Sequence, residues 1–432
     1  MASTNNTALT PLAASDRLFG WRDHTALWLS LGVGLLVMQI GAYLVPALGT
    51  KEALAVIVVG SILGAGLLAW TAKLGCDSGL SSAGLMHATY GSSFARLPVL
   101  LNIVQLIGWT TFELVVMRDG TVAIARQSGS FVASFWPVLA TLLWGGVLIA
   151  LLSGSMVTLV RKFIGRFGLP LVIASLLWLT WQFLGRAQAQ GWEAFWNRPG
   201  TGGMSTLSAL DLVIAMPVSW LPLVADFARH GRDGNSALRG TWLGYAIANT
   251  WCYALGVLIA LTTPSTDLVA ALLLAQGGLI ALGLILIDEV DNAYGDLYSG
   301  SVAGHSLQPG WSLSRWGMVL AVFCTALALV LPMHSLEPFL LMLSSVFVPL
   351  YGVILARLGG TCQVASLVGS KKVNLSAVII WVAGIATYHL CAQLAPGWGA
   401  ALPTLALTFL LARLTRDKSA PTAGNSTVNP AA

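Results

Sequence analysis

A chain of 432 residues of which 9% are charged and 56% apolar cannot coat a water-facing surface of its size, because ordinary soluble domains carry about 25% charged residues. Its mean hydropathy is +0.79, and apolar runs recur along the whole chain, so one membrane domain replaces the two or three soluble domains that length alone would suggest. The net charge of +5 follows from Lys and Arg at the ends of the apolar runs and gives no case for a nucleic-acid partner.

Residues 1–25 are polar, with Asp16, Arg17, Arg22 and Asp23. They lack the basic start and short apolar core of a cleavable signal peptide, which predicts a cytoplasmic N-terminal segment ahead of a retained first span. A transmembrane domain follows over 26–415. A crossing helix needs roughly 20 apolar residues, and about twelve such segments lie near 26–48, 53–73, 98–117, 134–153, 167–185, 207–228, 240–262, 270–296, 314–333, 337–357, 374–394 and 399–414. The tail over 416–432 is rich in Ser, Thr, Pro, Ala and Asn, a composition that predicts disorder.

Cytoplasmic loops hold an excess of Lys and Arg. Placing the N-terminus inside leaves only Lys51, Arg118, Arg126, Arg186 and Arg198 of the 22 basic residues outside. Both termini are then cytoplasmic, in a multi-pass protein of the plasma (inner) membrane. Cys76, Cys252, Cys324, Cys362 and Cys391 show no metal-ligand or disulfide spacing and read as small packing residues.

Interruptions and buried polar groups are costly in lipid unless they face a cavity, so they locate function. The first span contains Leu31-Gly32-Val33-Gly34 and Met38-Gln39-Ile40-Gly41 and ends at Pro46, a pattern that lets its middle unwind. In the third, Gln105, Trp109, Phe112 and Glu113 share one side, offering ligand hydrogen bonds beside a flat indole, against the alternatives of a structural pairing with another helix for Glu113 and interhelical glue for Gln105. The sixth carries Met216-Pro217-Val218-Ser219-Trp220-Leu221-Pro222, whose two prolines predict a broken helix. Paired broken helices in matching positions of two halves point to a transporter binding site near the midplane, against the bland reading that Gly and Pro are common in membrane helices.

The eighth span holds Asp288-Glu289-Val290-Asp291-Asn292 and then Asp296. Helical spacing sets Asp288, Asp291, Asn292, Gly295 and Ser299 on one stripe with Glu289 and Asp296 beside it. They read as an ion or substrate pathway, unless the helix ends at Ile287 and the acids sit in water.

The ordered set Gly79-Leu80-Ser81-Ser82 through Tyr90-Gly91, Gln105-Leu106-Ile107-Gly108-Trp109, Met216 to Pro222 through Ala225-Asp226-Phe227, and Phe347-Val348-Pro349-Leu350-Tyr351-Gly352 resembles the nucleobase:cation symporter-1 family. This family comprises the cytosine, purine, allantoin and hydantoin permeases, and the closest likeness is to its hydroxymethylpyrimidine-transporter subgroup. The resemblance spans residues 18 to 415. It implies an all-α membrane protein with a leucine-transporter-like core of five plus five inverted helices and two more.

In such a fold the first, third, sixth and eighth spans enclose a planar heterocycle between two aromatics. Trp109 matches the first aromatic. Pro217 falls where many members have the second, and Trp220 is its substitute. Gln39, Gln105, Glu113, Ser219 and Asp288 then become candidates for reading the ring edge.

Sodium-using members hold their ion with carbonyls of the first span and two adjacent hydroxyl residues of the eighth. The matching positions are Asp291 and Asn292, with Leu35 and Met38 as carbonyl donors. Carboxylate and amide oxygens suit a hard cation, and a protonatable Asp suits a proton, so Na+ and H+ both stay open as coupling ion and no other cofactor is implied.

The expected function is cation-coupled uptake of a pyrimidine-type ring, hydroxymethylpyrimidine (a thiamine precursor) or cytosine, with a purine or other nucleobase-like permease as the alternative. Arg161, Lys162 and Arg166 read as lipid anchors or part of an inner gate. A membrane enzyme using Asp288, Glu289 and Asp291 would want histidines nearby, and the six in the chain are dispersed. A channel would more naturally show repeated pore helices.

Overall fold

The computed structural model describes residues 7–129, 134–154, 168–265, 267–331, 333–361 and 363–416. Arg161, Lys162, Arg166 and Cys362, and the tail beyond 416, lie outside the described residues.

The first crossing is a bent pair, α1 (Trp21–Ser30) and α2 (Leu35–Tyr43), whose axes meet at 62°. Then come α3 (Thr50–Ser78), the short α4 (Ser82–Tyr90), α5 (Arg96–Gln127), α6 (Trp136–Leu152), α7 (Leu169–Gln190) and the brief α8 (Trp192–Trp196). The second half repeats the pattern with α9 (Thr206–Ser219) and α10 (Leu221–Ala228), α11 (Gly234–Thr262), the short α12 (Leu268–Leu273) and α13 (Gly278–Leu307). α14 (Leu313–Val330), α15 (Leu336–Leu358), α16 (Leu375–Leu394) and α17 (Ala401–Leu414) complete it.

Eight helices are long and apolar enough to cross a membrane, counting Thr206–Ala228 as one, and the bent pair adds a ninth. The shorter apolar α6 and α17 and the acid-bearing α13 bring the described crossings to twelve. α11 packs on α3 and on both pieces of the first span, α13 packs on α5, and α15 packs on α17.

Two segments differ from the sequence expectation. The stretch read as one span over 270–296 divides at Gly277, whose φ of +70° suits a residue without a Cβ. α13 therefore begins at Gly278 and runs to Leu307, which moves the acidic cluster from the end of a helix to its interior. Asp288, Glu289, Asp291 and Asp296 are 1–7% exposed, so the reading that placed them in water is set aside.

The second difference is at the N-terminus, where the first crossing starts at Trp21 rather than near residue 26; the polar segment before it is tied down. Leu12 N donates to Gly79 O, Ser81 Oγ donates to Ala8 O, and Arg229 Nη1 donates to Thr7 O. Phe19 exchanges backbone bonds with His230 and Arg232 at 2.9 Å each. Phe19 is fully buried, so residues 7–20 form a strap across this end of the bundle. Burial, helped by the neighbouring Arg229 charge, pushes the His230 imidazole down to about 3, so the strap rests on a neutral ring.

Candidate functional site

The first break falls at Leu31–Gly34, where the chain leaves α1 and restarts at Leu35. The opening turn of a helix has backbone N–H groups without intrahelical partners. Here Leu35 N donates to Glu289 Oε1 at 2.5 Å, a carboxylate placed where the helix dipole favours negative charge. Asn292 Nδ2 bridges the two sides of the break, donating to Val33 O at 3.1 Å and to Glu289 Oε2 at 3.2 Å. Gly34 leaves room for this, since a Cβ there would lie 3.2 Å from Glu289 Oε1. One turn away Ser30 Oγ reaches Asp288 Oδ1 at 3.0 Å and Asp291 Oδ2 at 3.3 Å, while Asp288 Oδ2 has no partner.

The sixth crossing breaks differently. Pro217 sits inside α9 and Pro222 opens α10, with only Trp220 between the helices. The N–H groups of Leu223 and Val224 both turn to Trp220 O, which leaves Ser219 O free of the helix ladder. Gln105 Nε2 donates to it at 3.3 Å and to Asn102 Oδ1 at 2.9 Å, and Asn102 Nδ2 donates to Pro222 O at 2.9 Å. The prolines thus interrupt the ladder but do not turn the crossing by more than 40°, a milder break than the sequence predicts. The ring of Pro217 packs on Gly64 of α3.

Between the two breaks lies a cavity of about 390 Å³, lined by Leu31, Gly34, Leu36 and Val37 of the first crossing, Trp109 and Glu113 of α5, Met216, Ser219, Trp220 and Leu223 of the sixth, and Glu289, Asn292 and Asp296 of α13. Water centres reach only about 20 Å³ of it, room for about one molecule, so the walls are closed together. Trp109 is held edge-on to Phe339 at 5.2 Å, and Trp220 edge-on to Trp28 at 5.8 Å. Among the buried polar atoms on these elements that have no hydrogen-bond partner are Trp109 Nε1, Glu113 Oε2 and Asn292 Oδ1 on the cavity wall and Asp288 Oδ2 behind it.

Of the residues singled out in the sequence, Trp109, Glu113, Ser219, Trp220 and Asn292 line this cavity. Gln105 lies behind it on the sixth-crossing backbone, and Asp288 and Asp291 lie behind it on Ser30. Gln39 is exposed and faces a second space, a vestibule of about 790 Å³ shared with Tyr43, Asp119, Arg126 and His334. Leu35 and Met38 lie within α2, where the Met38 carbonyl abuts Gly256 of α11. Glu289 and Asp296, set beside the polar stripe in the sequence, face the cavity instead. Their burial among apolar neighbours was the available signal, and the rotation of α13 was the missing one.

A family profile described as permease for cytosine/purines, uracil, thiamine, allantoin matches residues 11–412. Cytosine permease of Escherichia coli O157:H7 is 24% identical over 372 residues, 82% of this chain and 81% of that protein. The purine-uracil permease NCS1 of Arabidopsis thaliana is 30% identical over 112 residues, and the chain spans only 19% of its length.

Among solved structures, the nucleobase-cation-symport-1 transporter Mhp1 in a closed conformation with bromovinylhydantoin bound superposes with a TM-score of 0.80 at 15% identity, over 95% of this chain and 94% of that one. Its inward-facing conformation gives 0.74 at 16% identity, over 94% and 91%. These likenesses establish the fold. The chain is a multi-pass membrane transporter and not an enzyme, and it belongs to the nucleobase:cation symporter-1 family.

Proposed function

We propose that the protein imports a pyrimidine-type heterocycle, hydroxymethylpyrimidine or cytosine, together with Na+ or H+. The observation that carries this reading is the cavity bounded by two interrupted crossings, with an indole on α5 and another at the sixth-crossing break. Two aromatic faces and a few polar groups suit a flat, polar ring. Trp109 and Trp220 would hold the ring faces, with Glu113 and Ser219 on its edge. Gln39, Gln105 and Asp288, set back from the cavity, would act on entry or on the shape of the walls.

The coupling ion has a plausible seat behind the first break, where Ser30, Asp288 and Asp291 bring oxygens together. Oxygen ligands suit a hard cation, and the carboxyls would equally carry a proton. Leu35, Met38 and Asn292 complete the set proposed from the family pattern. With the N-terminus cytoplasmic, the vestibule beside Gln39 faces outward and the strap faces the cytoplasm of a plasma (inner) membrane protein. Ring and ion would enter through the vestibule and leave past the strap as the two halves rock. The ion can drive accumulation only by binding one state better than the other.

The test is binding of radiolabelled hydroxymethylpyrimidine and cytosine to purified protein, with and without sodium, at two pH values. Tight binding of one ring, strengthened by sodium, fixes substrate and ion. Dependence on pH alone assigns the coupling to a proton, and a purine that displaces both pyrimidines makes the protein a purine permease. Trp109→Ala should abolish uptake by removing a stacking face worth on the order of 1 kcal/mol or more; normal uptake by that variant would sink the site.

A further inference from the structure

The cavity wall is chemically one-sided. Three of its described lining residues, Glu113, Glu289 and Asp296, carry carboxyl groups, and none is Lys, Arg or His. All three are at most 5% exposed. Glu289 is committed to Leu35 N and Asn292 Nδ2, and Glu113 lies against it with Oε2 unpartnered. The other free polar atoms on lining residues are the acceptor Asn292 Oδ1 and the donor Trp109 Nε1. Buried carboxyl groups without a cation are costly, so the best occupant brings donors and positive charge.

We propose that this cavity selects a basic, amino-substituted ring over an acidic oxo ring of the same size, with Glu113 pairing to the edge formed by the amino group and its neighbouring ring nitrogen. The inference rests on the transport reading above and narrows its substrate class. A ring nitrogen beside an amino group accepts a proton. The proton leaves the O–H of a neutral carboxyl group, forms an N–H on the ring, and leaves a carboxylate facing an amidinium edge through two charge-assisted hydrogen bonds. No electrons change owner. An imide-type ring such as uracil or a hydantoin gives up protons rather than taking them. Against a neutral carboxyl group it forms only uncharged hydrogen bonds, ring N–H to carboxyl oxygen and carboxyl O–H to ring carbonyl, which are roughly half as strong as the charge-assisted pair. Hydroxymethylpyrimidine and cytosine both carry the amino edge, whereas uracil does not.

The experiment is calorimetric binding of matched rings to the purified full-length chain: cytosine against uracil, and 4-aminopyrimidine against 4-pyrimidinone. The amino member of each pair should bind about tenfold tighter or more, and Glu113→Gln should shrink that preference to about twofold while some binding persists. Asp296→Asn, which removes charge from the same wall, serves as the second variant should Glu113→Gln fail to fold, and should narrow the preference in the same direction. Oxo rings that bind as well as amino rings, or a preference untouched in a folded variant, overturn the inference and leave the transport reading standing. Binding of neither series overturns that reading and this inference with it.

Discussion

The first and sixth crossings are both interrupted in mid-membrane, but their freed backbone is satisfied by different chemistry. Around Leu31–Gly34 the partners are a carboxylate and an amide from α13, and the chain turns through 62°. Around Trp220 the partners are two neutral amides from α5, Gln105 and Asn102, and the crossing does not turn by more than 40°. A glycine-rich break keeps its donors and needs outside acceptors. A proline break deletes donors and needs outside groups only for the orphaned carbonyls. The two hinges therefore differ in what holds them and in how much each loses when that support is removed.

The largest effect should come from Glu289→Ala, which leaves Leu35 N and Asn292 Nδ2 without their acceptor in a dry site, at about 1–3 kcal/mol for each group stranded. Thermal unfolding in detergent should show a large drop and ring binding should vanish. Gly32→Val comes next, because a Cβ there would lie 2.7 Å from the Ala248 Cβ and 3.0 Å from Trp28 O; overpacking of this kind costs about 1–3 kcal/mol.

Gln105→Ala, the matching lesion at the sixth crossing, should cost only ~1 kcal/mol and weaken ring binding without ending it. Equal losses from Gln105→Ala and Glu289→Ala in the same assay would break the distinction between the hinges. Cys324→Ala, a small buried side chain on α14 whose Sγ lies 3.8 Å from Ile107 O, touches neither hinge, so it should leave ring binding unchanged and cost at most about 1 kcal/mol of stability through the small cavity it opens. It is the baseline for the series.

The crossings were legible because lipid imposes a length and a composition on any helix that spans it, and the order of breaks carried the family. The first break was legible because Gly32 and Gly34 lie two residues apart in mid-span, where glycine weakens a helix. What escaped was rotation and junction. Gln276-Gly277-Gly278 looked like part of an apolar run, so the eighth crossing was started too early. Asp288 and Glu289 are neighbours in sequence, yet one faces Ser30 and the other the cavity, a choice made by how α13 rolls against α5 and the first crossing. Pro217 and Pro222 were expected to snap their helix. Pro222 instead lies at the start of α10, where its missing N–H would be unused anyway.

The strap over residues 7–20 has a consequence for how the molecule is made. Phe19 leaves the ribosome roughly 200 residues ahead of its partners His230 and Arg232, on the order of ten to forty seconds of synthesis. Until then the buried phenyl ring has nowhere to dock. The strap must wait while six crossings are inserted, and its docking marks the moment at which the first half has met the second.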